Sequence, residues 1–285
     1  MADILVTPDE RGHYCLTREM PPGTIRQLAQ LSALEPLKLS ITKIAQFGIG
    51  HATCLAGLRV EQLWIWCDVT RAAMNQILQL EGLRELDILC MSSPGKLKNF
   101  HKAVQLEVFR ANHYMTEPDL LQVAQCPSIR VLGAQNSDLT RSAFAALLSK
   151  TNLTALDLEG TRFDDKMAKK ISRSTVSSLD IGGTRVTRAG LGHLMKMNQF
   201  RSLDLWALDL NATDLTMLLA LPNLEYLEYV SVGGNDSAPT LDADAITKLI
   251  LESCSLKRVW LDGVRLDRYQ RDALEAKLES LRLSN

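Results

Sequence analysis

The residues best equipped for chemistry in this 285-residue chain are carboxylates, tryptophans and cysteines. Spaced carboxylates can hold a basic side chain, a metal ion or a proton, and an exposed tryptophan can anchor a partner. Cysteines near histidines can bind zinc. Cys67 and Cys90 lie within reach of His101 and His113 in sequence, but a zinc site needs four ligands in tetrahedral array, and none of the six cysteines forms a CxxC pair. Cys15, Cys54, Cys67, Cys90, Cys126 and Cys254 therefore read as reduced thiols, and no metal is expected. The run Gly48-Ile49-Gly50-His51-Ala52-Thr53 has Thr where a phosphate-binding turn would need its third glycine, so it is expected to be a loop. No G-x-S-x-G, HExxH, EF-hand or P-loop pattern occurs, and neither a catalytic residue nor a cofactor is expected.

The totals narrow the class further. Thirty-two basic residues against 33 acidic ones give a net charge of −1, whereas a surface that coats nucleic acid needs a clear Lys/Arg excess. A 46% hydrophobic share is ample for a continuous core. The opening MADILVTPDERGHYC has no basic segment leading into an apolar one, and no stretch approaches the roughly 18 apolar residues of a membrane-spanning helix. A cytoplasmic protein with no nucleic-acid or membrane partner is the expectation.

The carboxylates and tryptophans gain meaning from the elements that would hold them. LTALDLEGTRF from Leu153, VSSLDIGGTRV from Val176 and FRSLDLWALDL from Phe200 share one frame, apolar at positions one, four and six. The frame extends to starts at Leu34, Val60, Leu83, Ala103, Ile129, Leu224, Leu256 and Leu278, with a period of about 24 residues. Each start begins a short strand whose first, fourth and sixth residues point into a core. Segments such as RSAFAALLSK, ATDLTMLLAL and RDALEAKLES follow with apolar spacings of three and four, predicting a helix in the second half of most units. Thr140, Asp164, Thr187, Asn211 and Asp267 each fall eleven residues after a start, where an oxygen side chain can cap the helix.

This pattern resembles the leucine-rich-repeat proteins, of the ribonuclease-inhibitor-like and bacterial 24-residue class. The resemblance spans residue 34 to the end and implies an α/β solenoid, a horseshoe of about eleven strands with a parallel sheet on its concave face and helices on its convex face. Residues 1–33 are expected to form an N-terminal cap of a hairpin, Ile4-Leu5-Val6 against Tyr14-Cys15-Leu16, plus a helix at TIRQLAQL. Residues 34–285 form the solenoid, with a turn or loop at 91–102 in place of a helix and a rim loop near 231–240, where Gly, Asn, Asp and Pro accumulate.

Alternation along each strand turns positions three, five and seven away from the core. Position five reads Lys38, Trp64, Asp87, Glu107, Gly133, Asp157, Asp180, Asp204, Glu228, Trp260 and Arg282, so that Asp87, Glu107, Asp157, Asp180, Asp204 and Glu228 form a carboxylate ladder. All four tryptophans, Trp64, Trp66, Trp206 and Trp260, fall at positions five or seven, with Phe109 and Tyr226 at other outward positions. These twelve residues are the candidate partner-binding set. Two readings stay open for the ladder: solvated residues of the repeat consensus, or a face for a basic partner. Ribonuclease inhibitors bind basic enzymes on a similar face, and the resemblance implies a non-enzymatic module that binds a protein with a basic surface. Within that class stand an inhibitor or immunity protein against a basic toxin or nuclease, a bacterial effector that recognises a host protein, and an assembly scaffold. The rival is an enzyme built from scattered residues of the concave face, which an open sheet disfavours because it desolvates little.

Overall fold

The structure is a computed structural model, and it describes residues 7–16, 22–92, 96–150, 152–229, 242–261, 264–278 and 280–283. The chain divides into two compact units, Met1–Leu153 and Thr154–Asn285.

In the first unit, Asp9 organises a turn by accepting hydrogen bonds on one carboxylate oxygen from the backbone N–H groups of Arg11 and His13, beside an antiparallel bridge between Pro8 and Tyr14. The Ile4–Val6 arm of the expected hairpin lies outside the described residues. Strand β1 (Tyr14–Leu16) pairs in parallel with β2 (Leu37–Ile41), and α1 (Pro22–Leu34) connects them. The sheet continues in parallel through β4 (Val60–Thr70), β5 (Glu85–Ser92), β6 (Val108–Ala111) and β7 (Val131–Gly133), with the short β3 (Gln46–Phe47) paired to the far end of β4. Helices α2 (Ile49–Cys54), α3 (Arg71–Ile77), α4 (Glu117–Val123) and α5 (Arg141–Lys150) supply the crossovers. Between β5 and β6 the only helical turn among the described residues is a 3-10 turn, Phe100–Lys102. The glycine-containing run at 48–53 corrects the expectation of a loop: it opens α2, with Gly48 at the N-cap.

The second unit is more regular. Strands β8 (Ala155–Asp157), β9 (Ser178–Asp180), β10 (Ser202–Asp204), β11 (Tyr226–Tyr229), β12 (Arg258–Leu261) and β13 (Ser280–Leu283) pair in parallel and in sequence order. Helices α6 (Asp165–Ile171), α7 (Arg188–Leu194), α8 (Ala212–Leu219), α9 (Ala243–Glu252) and α10 (Arg268–Lys277) alternate with them. Leu156, Leu179, Leu203, Leu227 and Val259 occupy matching places in adjacent strands and are all buried. A one-residue slip would turn each of them outward at a cost of about 2 kcal/mol apiece, so the hydrophobic pattern pins the register. The five expected cap residues all cap: Thr140, Asp164, Thr187, Asn211 and Asp267 accept from first-turn N–H groups of Ala143, Met167, Ala189, Asp214 and Gln270. The fold is thus the strand–helix alternation of a leucine-rich-repeat solenoid, and among the described residues eleven strands, β2 and β4–β13, lie on the repeat frame. The 231–240 segment lies outside the described residues.

Two frames are corrected by the strand pairing. Leu39 lies opposite Leu63 and Ser40 opposite Trp64, so Ser40 rather than Lys38 takes position five, and Leu34 ends α1 with 83% exposure. In β6, Phe109 lies opposite Leu86 and Arg110 opposite Asp87. The frame there starts at Leu106 instead of Ala103, Phe109 is fully buried in the core, and Glu107 precedes the strand. Both errors share a cause: Leu34-Leu37-Leu39 and Ala103-Leu106-Val108 satisfy the apolar template as well as the true residues do.

Candidate functional site

The outward faces of the two units differ in how their carboxylates are neutralised. In the first unit the sheet supplies its own cations. Arg110 contacts Glu85 at 3.1 Å and Asp87 at 3.9 Å, and Arg84 contacts Glu107 at 2.8 Å and Glu61 at 3.8 Å. Burial still pushes Asp87 up to about 6, with Arg110 pulling it down and Glu85 adding to the rise. One Asp87 oxygen, Oδ1, is buried without a hydrogen-bond partner. Trp64 is built into this network: its ring lies 4.0 Å from that of the buried His13, and its indole N–H donates to Glu85 at 3.3 Å. Trp66 is 45% exposed, displaced by the irregularity in β4 between Ile65 and Asp68.

In the second unit Asp157, Asp180, Asp204 and Glu228 lie directly opposite one another on β8, β9, β10 and β11. Each aspartate uses Oδ1 in a tight turn, accepting from the N–H two residues on: Glu159 at 3.2 Å, Gly182 at 2.9 Å and Trp206 at 3.2 Å. This explains why Asp recurs at position five, since a short side-chain acceptor closes the turn that ends the strand. The next residue, position eight, takes a left-handed backbone in Gly160, Gly183 and Ala207, with φ of 66°, 62° and 55°. Glycine meets that demand freely and Ala207 meets it with strain. The turn aims position seven, occupied by Glu159, Gly182 and Trp206, away from the core.

Burial, reinforced by the crowding of like charge, dominates the electrostatics. Burial, then the Asp204 charge, pushes Asp180 up to about 8, against the Gly182 hydrogen bond; Asp157 and Glu159 add to the rise. Burial and Glu228 push Asp204 up to about 6, against the Trp206 N–H. Neither has a basic partner among the described residues. The Tyr226 hydroxyl donates to Glu228, and burial, then this bond, raises the tyrosine well above its ordinary range. Arg258 sits over the Tyr226 ring at 6.0 Å, and Trp260 pairs opposite Glu228 at half-buried exposure. Trp206 is 45% exposed.

Of the twelve candidate residues, the structure therefore puts Asp157, Asp180, Asp204, Glu228, Trp206, Tyr226 and Trp260 on the face of the second unit, and Trp64, Trp66 and Asp87 on that of the first. Glu107 and Phe109 leave the set. Sequence reasoning missed Arg110 and Glu85 on the first face, although Leu106 stands 23 residues after Leu83 and 23 before Ile129, an even spacing that points to the correct frame. It also missed Glu159 and Gly182, which stand at position seven beside Trp206. Cys67, Cys90, His101 and His113 form no group able to hold a metal among the described residues; the acidic trio Asp157, Glu159 and Asp180 is the group whose ligand atoms come within 4.8 Å of one another. Among the described residues no helix is long and apolar enough to cross a membrane.

No family model and no curated protein matches the chain. Among solved structures it is similar to an internalin (inlF) from Listeria monocytogenes, with 16% identity, 96% of this chain and 87% of that chain covered, and a TM-score of 0.47.

Proposed function

We propose that this chain is a non-enzymatic protein-interaction module that binds its partner on the outward face of the sheet. One observation carries the reading: Trp206 stands 45% exposed beside Asp180 and Asp204, which lack basic partners among the described residues. Closing the turns accounts for the acceptor oxygens at these positions but not for like charges stacked in register, each of which is destabilised by the next. A partner that brings positive charge to the row and covers the indole removes both penalties. The negative row favours a basic protein, and within the binding class it favours the inhibitor or immunity reading, whose target is a basic toxin or nuclease. The enzyme reading lacks support of this kind, since the row forms an open surface and the hydroxyl paired with a carboxylate there, Tyr226 with Glu228, is held well above its ordinary range and makes a poor nucleophile.

Affinity purification from a native lysate tests the reading, with the wild type beside Trp206→Ala and an Asp180→Asn/Asp204→Asn double variant. The expected result is a partner with a basic surface, retained by the wild type and lost from both variants. A partner recovered equally by all three would place the binding surface elsewhere and refute the reading.

A further inference from the structure

The helical side of the second unit carries the opposite charge to its sheet face. On α6, Met167, Ala168 and Ile171 are buried, while Lys166, Lys169, Lys170 and Arg173 are all exposed. Spaced i, i+3, i+4 and i+7, these four form one stripe along the outer side of the helix. The Arg173 N–H donates to the Lys170 carbonyl, which carries the stripe through the last turn. Lys196 holds the same place after α7 and is exposed as well. None of the five has an ion-pair partner among the described residues. The neighbouring aspartates are engaged elsewhere: Asp164 caps Met167, and Asp165 holds the N–H and hydroxyl of Thr187.

Other helices of this unit offset such charge within themselves. In α9, Lys248 lies 3.9 Å from Glu252, and in α10, Arg268 lies 3.8 Å from Asp272, each pair one turn apart. Helix α6 instead sets like charges three and four residues apart, which weakens it. The helix dipole accounts for Lys169 and Lys170 in the last turn, but it opposes Lys166 in the first.

The make-up of this side narrows what can neutralise it. Neither α6 nor α7 contains Trp, Tyr or Phe, and none of the exposed large apolar residues lies on them. There is no ring for an unpaired base to stack on, and no apolar wedge to enter a hydrocarbon layer. The surface of α7 beside the stripe is low, with Ala189 exposed and a methyl group added at Gly192 meeting nothing within 4 Å. Nothing there projects into a duplex groove to read base edges. Four of the five cations are lysines, compact charges on flexible stems, which suit an array of mobile anions better than the fixed geometry that an arginine fork matches.

We propose that the α6–α7 side of this unit docks on a bilayer carrying anionic lipid, held by these five cations against the headgroups with no entry into the hydrocarbon. A cluster of about four to eight basic residues is of the size that draws a protein to such a surface. The proposal stands apart from the protein-binding reading, which concerns the other side of the sheet. Docked in this way, the unit turns its carboxylate row away from the anionic surface and leaves it open to a protein partner. The absence of a long apolar run excludes a spanning helix and is silent on a contact made by charge alone, while the net charge of −1 averages over two opposed faces.

Sedimentation of the full chain with sucrose-loaded vesicles tests the proposal, using phosphatidylcholine alone and phosphatidylcholine with about 30 mol% phosphatidylglycerol. At about 50 mM NaCl the chain should partition at least about tenfold more strongly onto the anionic vesicles, and about 300 mM NaCl should abolish the difference. Each lysine near such a surface strengthens binding about fivefold, so Lys166→Gln/Lys169→Gln/Lys170→Gln should bind at least about tenfold more weakly, with no fall in thermal midpoint. Lys166→Arg/Lys169→Arg/Lys170→Arg keeps the charge and should bind as the wild type does. Arg26→Gln/Lys248→Gln/Arg268→Gln removes the same charge from exposed sites elsewhere and should also bind as the wild type does. Equal binding to both kinds of vesicle, or equal loss in the two glutamine variants, overturns the proposal. So does retention by an RNA duplex or a polyglutamate peptide at a salt concentration where the anionic vesicles are not bound, which would give this side to a nucleic acid or an acidic protein.

Discussion

Asp180→Asn should make the protein more stable at neutral pH, which is unusual for a substitution in a half-buried position. Asparagine is nearly isosteric and keeps the acceptor that the Gly182 N–H uses at 2.9 Å, so the turn survives. What it removes is the ionisable carboxyl, which the folded chain must keep protonated at neutral pH. Folding raises the Asp180 carboxyl from 3.8 to about 8, so the folded chain holds this proton more tightly than the unfolded one. The contribution is complete below about pH 4, where both states are protonated, and is lost as pH rises toward 8, at about 1.4 kcal/mol per pH unit for one fully shielded group. Integrated to pH 7 that gives a ceiling of about 4 kcal/mol, and because Asp180 still touches solvent, screening reduces it to about 1–2 kcal/mol. Urea denaturation of wild type and variant, followed by circular dichroism at pH 4, 5, 6, 7 and 8, measures it. The two curves should coincide at pH 4 and diverge steadily, with the variant ahead by about 1–2 kcal/mol at pH 7. Parallel curves, or a variant weaker than wild type at pH 8, would refute the argument that burial and like-charge crowding strain this row.

Three further substitutions probe the frame that carries the face. Arg71→Ala leaves Asp119 buried without its 2.6 Å ion pair and should cost about 3–5 kcal/mol in the first unit, measured by thermal unfolding. Asp119 is raised by burial but lowered more by Arg71 and the Thr116 donors, so the stability it contributes is present above about pH 4 and lost as pH falls below it. Gly190→Ala improves intrinsic helix propensity by about 1 kcal/mol but drives a methyl into Asp165 Oδ1, part of the carboxylate that holds the Thr187 N–H and hydroxyl; calorimetry should show a net loss of about 1–3 kcal/mol. Ala207→Gly relieves a left-handed backbone at φ 55° and should gain about 0.5–1 kcal/mol in denaturant melts, once the greater freedom of glycine in the unfolded chain is subtracted.

The parts of this molecule that were legible in the sequence are those that repeat. Position four is apolar in every unit because a parallel sheet covered by helices has no other way to bury it, and the five capping residues recur at one offset because each helix starts at the same distance from its strand. Where apolar residues recur every three positions, as at Ala103-Leu106-Phe109, the template fits two frames and strand pairing has to decide. That ambiguity misassigned Glu107 and Phe109 and hid Arg110, the cation that neutralises the first face. Long-range contacts left no local trace at all: His13 against Trp64, and Arg71 reaching Asp119 across 48 residues. The register alone turns the seven residues of the second face outward. The packing of Trp206 against Gly182 and Gly183 was not legible, because a glycine in LDIGGT reads simply as a turn.

Hydrogen exchange of the chain alone and saturated with its captured partner, resolved by mass spectrometry, tests the central claim most directly. Binding on the outward face of the second unit predicts slowed exchange at 157–160, 180–184 and 204–208, where strand ends and turns carry Glu159, Gly182 and Trp206, with α6, α7 and α8 unchanged. Protection confined to those helices, with the three turns exchanging as fast as in the free chain, would contradict it.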